Sequence, residues 1–282
     1  MQADFRRKLR QIAGVATLSA LALSAAPASA DQIADIKAKG QLVCGVLGTD
    51  EPFSFVDPAT REIVGYDVDM CNAVAKSLGV KPVLKQISVA ARLPELQQGH
   101  VDLLAASLTH NKERESQIDF SLSTFITGQK AMVRKESGIT TLGQLDGKKI
   151  LTVKGSTMES NIAAKIKNAT VVSFDNSPQA LLALEQGKGV AYVNDETSLV
   201  SNLVKLGPAA KDYTLVPQYL SSEHLALGIR KGETGFRNQV NQVLSKMEAD
   251  GDAQKLYDKW FGPNTKMKFP PRAFKISTDK ID

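Results

Sequence analysis

Between Gln41 and Ala106 the hydrophobic period of the sequence switches back and forth in an order that few folds accommodate. Gln41 to Val46 reads as a short apolar strand. Gly65 and Asp67 then open a helix in which Val68, Cys71, Val74, Ala75 and Leu78 recur at helical spacing, and Gly79 is placed to end it. Pro82 to Ile87 suggests a second strand, Arg92 to Gln98 a short helix closed by Gly99, and the apolar run from Val101 to Ala106 a third, buried strand. Strand, helix, strand, helix, strand is the order of a parallel sheet with right-handed crossovers.

The alternation restarts further on. Lys149 to Val153 and Thr170 to Phe174 read as strands around a helix over Met158 to Lys167. Ser177-Pro178 opens the next helix with a hydroxyl cap and a first-turn proline. A strand at Val190 to Val193 and a helix from Glu196 to Leu206, stopped by Gly207-Pro208, follow. Two half-similar α/β units imply two lobes, and two lobes imply a cleft. The extended segments near Asp119 to Val133 and Leu225 to Ile229 are where the chain crosses out and back. Lobe 1 is therefore expected to comprise residues 31–128 plus 228–282, and lobe 2 residues 129–227.

Residues 1–30 have the composition of a cleaved secretory signal: Arg6, Arg7, Lys8 and Arg10, an apolar stretch, then Ala28-Ser29-Ala30, which places cleavage near Ala30. Four of the 35 basic residues and one of the 30 acids lie in that segment, so the remainder carries 31 against 29, or +2. That balance, with basic residues scattered among acids, gives no footing for a nucleic-acid partner. An exported chain can keep a disulfide. Cys44, in the first strand, and Cys71, in the helix after it, are candidates for one, though two separately buried thiols satisfy the same spacing. Two cysteines and three distant histidines offer no metal-ligand pattern, and neither a metal nor a cofactor is expected.

Four groups of residues could carry chemistry at the cleft. Ser107, Thr109 and Arg114 lie just beyond the carboxyl end of the third strand, where open α/β sheets place ligands. A guanidinium can fork both oxygens of a carboxylate while hydroxyls complete its acceptors; the alternative is an Arg114 paired with Glu113 or Glu115 on a solvated face. Gly155-Ser156-Thr157-Met158-Glu159 follows another strand. Ser156 and Glu159 fit a capping box there, and the free amides of a helix start suit an anion. Asn194-Asp195-Glu196 ends a third strand and could accept an ammonium group or simply cap the next helix. Arg92 stands near the start of the short helix before the third strand. No nucleophile elbow, phosphate loop or dinucleotide fingerprint is present, so no catalytic residue is assigned.

The motifs Pro52-Phe53-Ser54-Phe55, Gly65-Tyr66-Asp67-Val68-Asp69, the run from Ser107 to Arg114, Ile118-Asp119-Phe120-Ser121, Leu145-Asp146-Gly147-Lys148, Gly155 to Glu159, Asn194-Asp195 and Asp258-Lys259-Trp260-Phe261 occur in this order. In that combination the chain resembles the periplasmic solute-binding proteins of amino-acid ABC transporters, the group called family 3. The resemblance implies a type II periplasmic-binding-protein fold, each lobe a mostly parallel sheet flanked by helices, closing around one free amino acid. It implies that Ser107, Thr109, Arg114, Ser156 and Thr157 hold the α-carboxylate and Asp195 the ammonium group. Phe53 would form a pocket wall with Asp50 nearby. Identity would come from Arg92, Asn194 and the residues around Leu47 and Asp50.

Arg92 in Ala91-Arg92-Leu93-Pro94 is similar to the arginine of acidic-amino-acid binders, which favours glutamate or aspartate; glutamine or a broad range of polar amino acids is the alternative. The implied partners are an inner-membrane ABC permease and its ATPase, with the protein itself a periplasmic monomer and not an enzyme. The competing class is a periplasmic enzyme similar to cyclohexadienyl dehydratase, which shares the two-lobed fold.

Overall fold

A computed structural model of the chain describes residues 32–277, and the expected signal segment with its cleavage point near Ala30 lies outside them. In chain order the first part comprises α1 (Gln32–Lys39), β1 (Gln41–Val46), β2 (Thr49–Asp50), β3 (Ser54–Val56), β4 (Ile63–Val64), α2 (Tyr66–Leu78), β5 (Lys81–Gln86), α3 (Arg92–Gln97), β6 (Leu103–Leu104) and α4 (Lys112–Glu115). The long β7 (Ile118–Arg134) leads into β8 (Lys149–Val153), α5 (Thr157–Lys165), β9 (Thr170–Phe174), α6 (Ser177–Glu185), β10 (Ala191–Asp195), α7 (Glu196–Leu206) and β11 (Tyr213–Leu215). β12 (Ser221–Arg230) returns the chain to α8 (Thr234–Ala249) and α9 (Asp252–Phe261). None of the helices described is long and apolar enough to cross a membrane.

The strands run in the order β5-β1-β6-β12-β7-β10-β8-β9, with β11 paired to β7. β1 is parallel to both β5 and β6, and β8 is parallel to both β9 and β10. Each lobe thus has the parallel core its strand and helix alternation predicts. Between them, β7 and β12 pair antiparallel from Ser221↔Gln129 to Arg230↔Ile118, and these two strands connect the lobes.

Helices cover both faces of each sheet. Leu42, Cys44, Val46 and Leu103 pack against Val68, Cys71, Val74 and Ala75 of α2 and against Phe236, Val240 and Leu244 of α8. Ile87, Leu96, Val101, Leu104 and Leu108 fill the opposite face of lobe 1. In lobe 2, Met158 and Ile162 of α5 cover one face of the sheet, while Leu184 of α6 and Leu199 of α7 cover the other. Leu225 and Leu227 of β12 also pack in the lobe 1 core.

Cys44 and Cys71 form a disulfide, with Cα atoms 6.4 Å apart, tying β1 to α2. The start of α2 is fixed by close approach: a Cβ on Gly65 would lie 2.1 Å from the carbonyl oxygen of Phe53, so no larger residue fits. The tail is also built in. Ser277 bridges to Ser123, and the buried guanidinium of Arg272 forks Glu248 at 3.1 and 2.5 Å.

Candidate functional site

Four loops converge on a narrow cleft between the lobes. Lobe 1 contributes Leu47, Asp50, Arg92, Ser107, Thr109 and Arg114, and lobe 2 contributes Ser156, Thr157, Ser177, Asn194 and Asp195. Nine of the ten candidate ligand residues therefore come together. Phe53 does not: it is buried against Tyr66, Phe125 and Phe261 in the lobe 1 core. The cleft walls are instead Leu47, Val89, Val153 and Met158.

The turn after β6 is held from several sides. Ser107 has a left-handed backbone, φ 46°, which is uncommon for a residue with a Cβ. Its amide donates to Asp67 Oδ2 at 2.7 Å, its hydroxyl to Asp50 Oδ2 at 2.6 Å, and its carbonyl accepts from Arg92 Nη1 at 2.9 Å. Asn111 caps α4 by accepting the Arg114 amide at 2.9 Å, which turns Arg114 inward. The Arg114 side chain donates to the carbonyls of Thr109, at 2.8 Å, and Gly155, at 3.3 Å. Glu115 pairs with His110 instead of with Arg114.

The two arginines differ in what they have left to give. Arg114 spends two of its five N–H groups on partners among the described residues, and the other three remain for a ligand. Arg92 donates to the carbonyls of Val89, Ala106, Ser107 and Gly155 at 2.9 to 3.2 Å, so one N–H remains. Burial and then the neighbouring Arg114 lower the Arg92 pKa. For Arg114 burial also lowers it, opposed first by Glu223.

On the lobe 2 side, Ser156 occupies the N-cap of α5 without a capping bond. Its hydroxyl donates back to the Val153 carbonyl at 2.5 Å, while Glu159 accepts the Gly155 amide at 2.7 Å. The expected capping box is therefore replaced by two bonds that stiffen the turn. Gly155 has φ +76°, and a Cβ there would lie 2.6 Å from Ala90 Cα in lobe 1. Asn194 donates to Tyr192 Oη at 2.6 Å and accepts the Asp195 amide at 2.9 Å.

Asp195 sits at the N-cap of α7 but does not cap it. Its Oδ1 is buried and has no hydrogen-bond partner among the described residues. Burial, then the charges of Glu223 and Asp50, hold its pKa well above the ordinary aspartate range. A buried acceptor left unmet costs free energy, a cost that a donor entering the cleft can remove. Beside the cleft, burial raises the pKa of Asp67 to about 7 despite the Ser107 amide it accepts.

Sequence reasoning did not identify Ser198, whose hydroxyl donates to Asp50 Oδ1 at 2.7 Å across the cleft, or Glu223 behind it. Ser198 lies three residues beyond Asp195, one turn along α7, and that spacing was the available signal. Glu223 is remote in sequence from everything it touches in α5.

Residues 42–263 match the model of the bacterial extracellular solute-binding proteins, family 3. The chain belongs to that family. This family 3 protein is 33% identical over 234 residues to the ABC transporter glutamine-binding protein GlnH of Bacillus subtilis, covering 82% of this chain and 84% of the relative. It is 28% identical over 279 residues to the L-glutamate/L-aspartate-binding protein of Pseudomonas aeruginosa, covering 93% and 90%.

Among solved structures, an ancestral arginine-binding protein bound to arginine aligns with TM-score 0.74 at 36% identity, covering 79% of this chain and 99% of the other. The ancestral amino acid-binding protein AncCDT-1, a precursor of cyclohexadienyl dehydratase, aligns with TM-score 0.74 at 30% identity, covering 82% and 99%. The family 3 protein is thus an amino-acid solute-binding protein with the two-lobed fold.

Proposed function

We propose that the protein captures one free polar L-amino acid outside the cytoplasmic membrane and, closed around it, presents it as a monomer to an ABC permease and its ATPase. The observation that carries this reading is the pairing of opposite needs in one cleft: a buried Asp195 oxygen without a donor and an Arg114 fork with donors to spare. An ammonium group and a carboxylate joined through one carbon meet both. Arg114, Thr109 and the first-turn amides of α5 take the carboxylate, and Asp195 takes the ammonium group.

For the side chain, the charge around the cleft favours a neutral amide or a cation. Asp50 and Glu223 already balance Arg92 and Arg114, while burial holds Asp67 and Asp195 toward their neutral forms, so an added anion finds no uncompensated positive charge. Arg92, on which a preference for glutamate or aspartate rests, has most of its donors spent on carbonyls. Its one remaining N–H is the observation that keeps glutamate and aspartate as the second reading.

A thermal-shift screen of the twenty amino acids separates these readings, because a ligand bound only by the folded state raises its melting temperature. The expected result is larger shifts with glutamine or arginine than with glutamate or aspartate. A shift confined to the two acids reverses the preference, and no shift with any amino acid overturns the reading. Incubation with prephenate or arogenate tests the enzymatic alternative, and turnover of either would favour it.

A further inference from the structure

Glu223 is buried on the return strand β12, on the segment that connects the lobes, yet its carboxylate serves the start of α5. Oε2 accepts the hydroxyl of Thr157 at 3.0 Å. Oε1 accepts Asn161 Nδ2 at 3.2 Å and the hydroxyl of Ser221 at 2.5 Å. From the other connecting strand, Gln129 Nε2 donates to Thr157 Oγ1 at 2.8 Å while its carbonyl oxygen accepts Asn161 Nδ2 at 2.9 Å. One network therefore ties both connecting strands to the first turn of α5.

A hydroxyl has one proton, and Thr157 gives it to Glu223. Thr157 Oγ1 therefore has no proton for a ligand carboxylate, contrary to what its position in the sequence suggests. What α5 can offer an anion is its first-turn amides, which have no partner within the helix. Their aim depends on how that turn is held. Glu223 is also the charge that most opposes the lowering of the buried Arg114 pKa.

We infer that Glu223 is a positioning residue of the binding site: by taking the Thr157 proton it fixes the first turn of α5 so that backbone amides, and not the Thr157 hydroxyl, face the ligand's α-carboxylate. This rests on the amino-acid reading of the cleft, and it adds a residue that touches no ligand. It also makes the connecting strands part of the grip, since bending them moves Gln129 and Glu223 together.

The test combines a double-mutant cycle with a measurement that needs no ligand. Glu223→Ala, Thr157→Val and the double variant are titrated by calorimetry with whichever of the twenty amino acids gives the largest thermal shift, and with the α-amide of that amino acid. Each single variant is expected to weaken binding of the free amino acid about tenfold or more, with the double variant no worse than the weaker single one, because both remove the same bond. The losses are expected to shrink for the α-amide, which a general loss of folding would not produce. Thr157→Ser is expected to restore affinity.

Amide hydrogen exchange of the unliganded variants is read at residues 157–161, where Glu223→Ala and Thr157→Val should both speed exchange. Independent, additive losses, or unchanged exchange in Glu223→Ala, would overturn the inference. Faster exchange in a protein that no amino acid stabilises would instead sink the amino-acid reading and leave the positioning role in place.

Discussion

Asp50 and Ser198 meet across the cleft, the Ser198 hydroxyl donating to Asp50 Oδ1 at 2.7 Å. Asp50 is on β2 of lobe 1 and Ser198 on α7 of lobe 2, so the bond exists only when the lobes are together. The guanidinium groups of Arg92 and Arg114 add a second contact by sharing the Gly155 carbonyl. All three bonds form between protein groups alone. The ligand therefore need supply only part of the free energy that holds the lobes closed.

Ser198→Ala removes a bond to a charged acceptor, about 1.5–3 kcal/mol in a typical case. Because the bond belongs to the closed state, its loss shifts the population toward the open one and weakens the observed affinity. A tenfold or greater rise in Kd is expected, with a larger radius of gyration in small-angle scattering of the unliganded protein. Unchanged values of both would show that the bond does not contribute to closure.

Arg114→Ala should cost roughly 2–5 kcal/mol in ligand binding, the usual penalty for removing one member of a buried charge pair. Arg114→Lys should recover little, because an ammonium point charge cannot reproduce the fork. Near-native affinity in the alanine variant, measured by calorimetry, would remove Arg114 from the carboxylate site.

Asp195 carries its proton to higher pH than an ordinary aspartate, because burial and the nearby Glu223 and Asp50 charges disfavour its anion. A ligand ammonium group favours that anion, so binding should release a proton. Affinity should then rise with pH until Asp195 is ionised in the free protein, and Asp195→Asn should abolish that part of the dependence. Calorimetry in buffers of different ionisation enthalpy counts the protons; uptake on binding, or none, would contradict the assignment.

Arg92→Leu distinguishes a specificity residue from a structural one. The side chain holds four backbone carbonyls, and unpaired buried carbonyls cost about 1–3 kcal/mol each. A lower melting temperature and similar losses of affinity for glutamine, glutamate and aspartate are expected. A loss confined to the two acids would return Arg92 to the role that the family resemblance gives it.

The α/β alternation was legible because period and punctuation agree locally. The positions of α2 that its spacing marks are all buried, and Gly79 ends it in the left-handed conformation at φ 72°. The cleft was legible where several residues share one loop, as Ser107, Thr109 and Arg114 do, and again at Asn194 and Asp195. Hydrogen-bond direction was not legible. Ser156 and Thr157 read as donors to a ligand, yet one hydroxyl is given to Val153 and the other to Glu223.

Phe53 shows the same limit for packing. The family resemblance makes Phe53 a pocket wall, but the tertiary arrangement of Tyr66, Phe125 and Phe261 draws it into the core. Ser198 and Glu223 were hidden for a related reason, since each acts on a residue far away in the chain.

Asp67 links the cleft to stability. Burial raises its folded-state pKa from 3.8 to about 7. Between those values the folded protein binds more protons than the unfolded chain, so stability falls as pH rises through the window. The contribution is fully present below about pH 4 and lost above about pH 7. Asparagine can still accept the Ser107 amide through its carbonyl oxygen and never ionises. Asp67→Asn should therefore be the more stable protein at pH 8, by on the order of 2–4 kcal/mol. The difference from the parent protein should close as pH falls toward 4. Urea unfolding at pH 4.5, 6 and 8 measures that difference directly, and a gap independent of pH would mean that Asp67 does not titrate in this range.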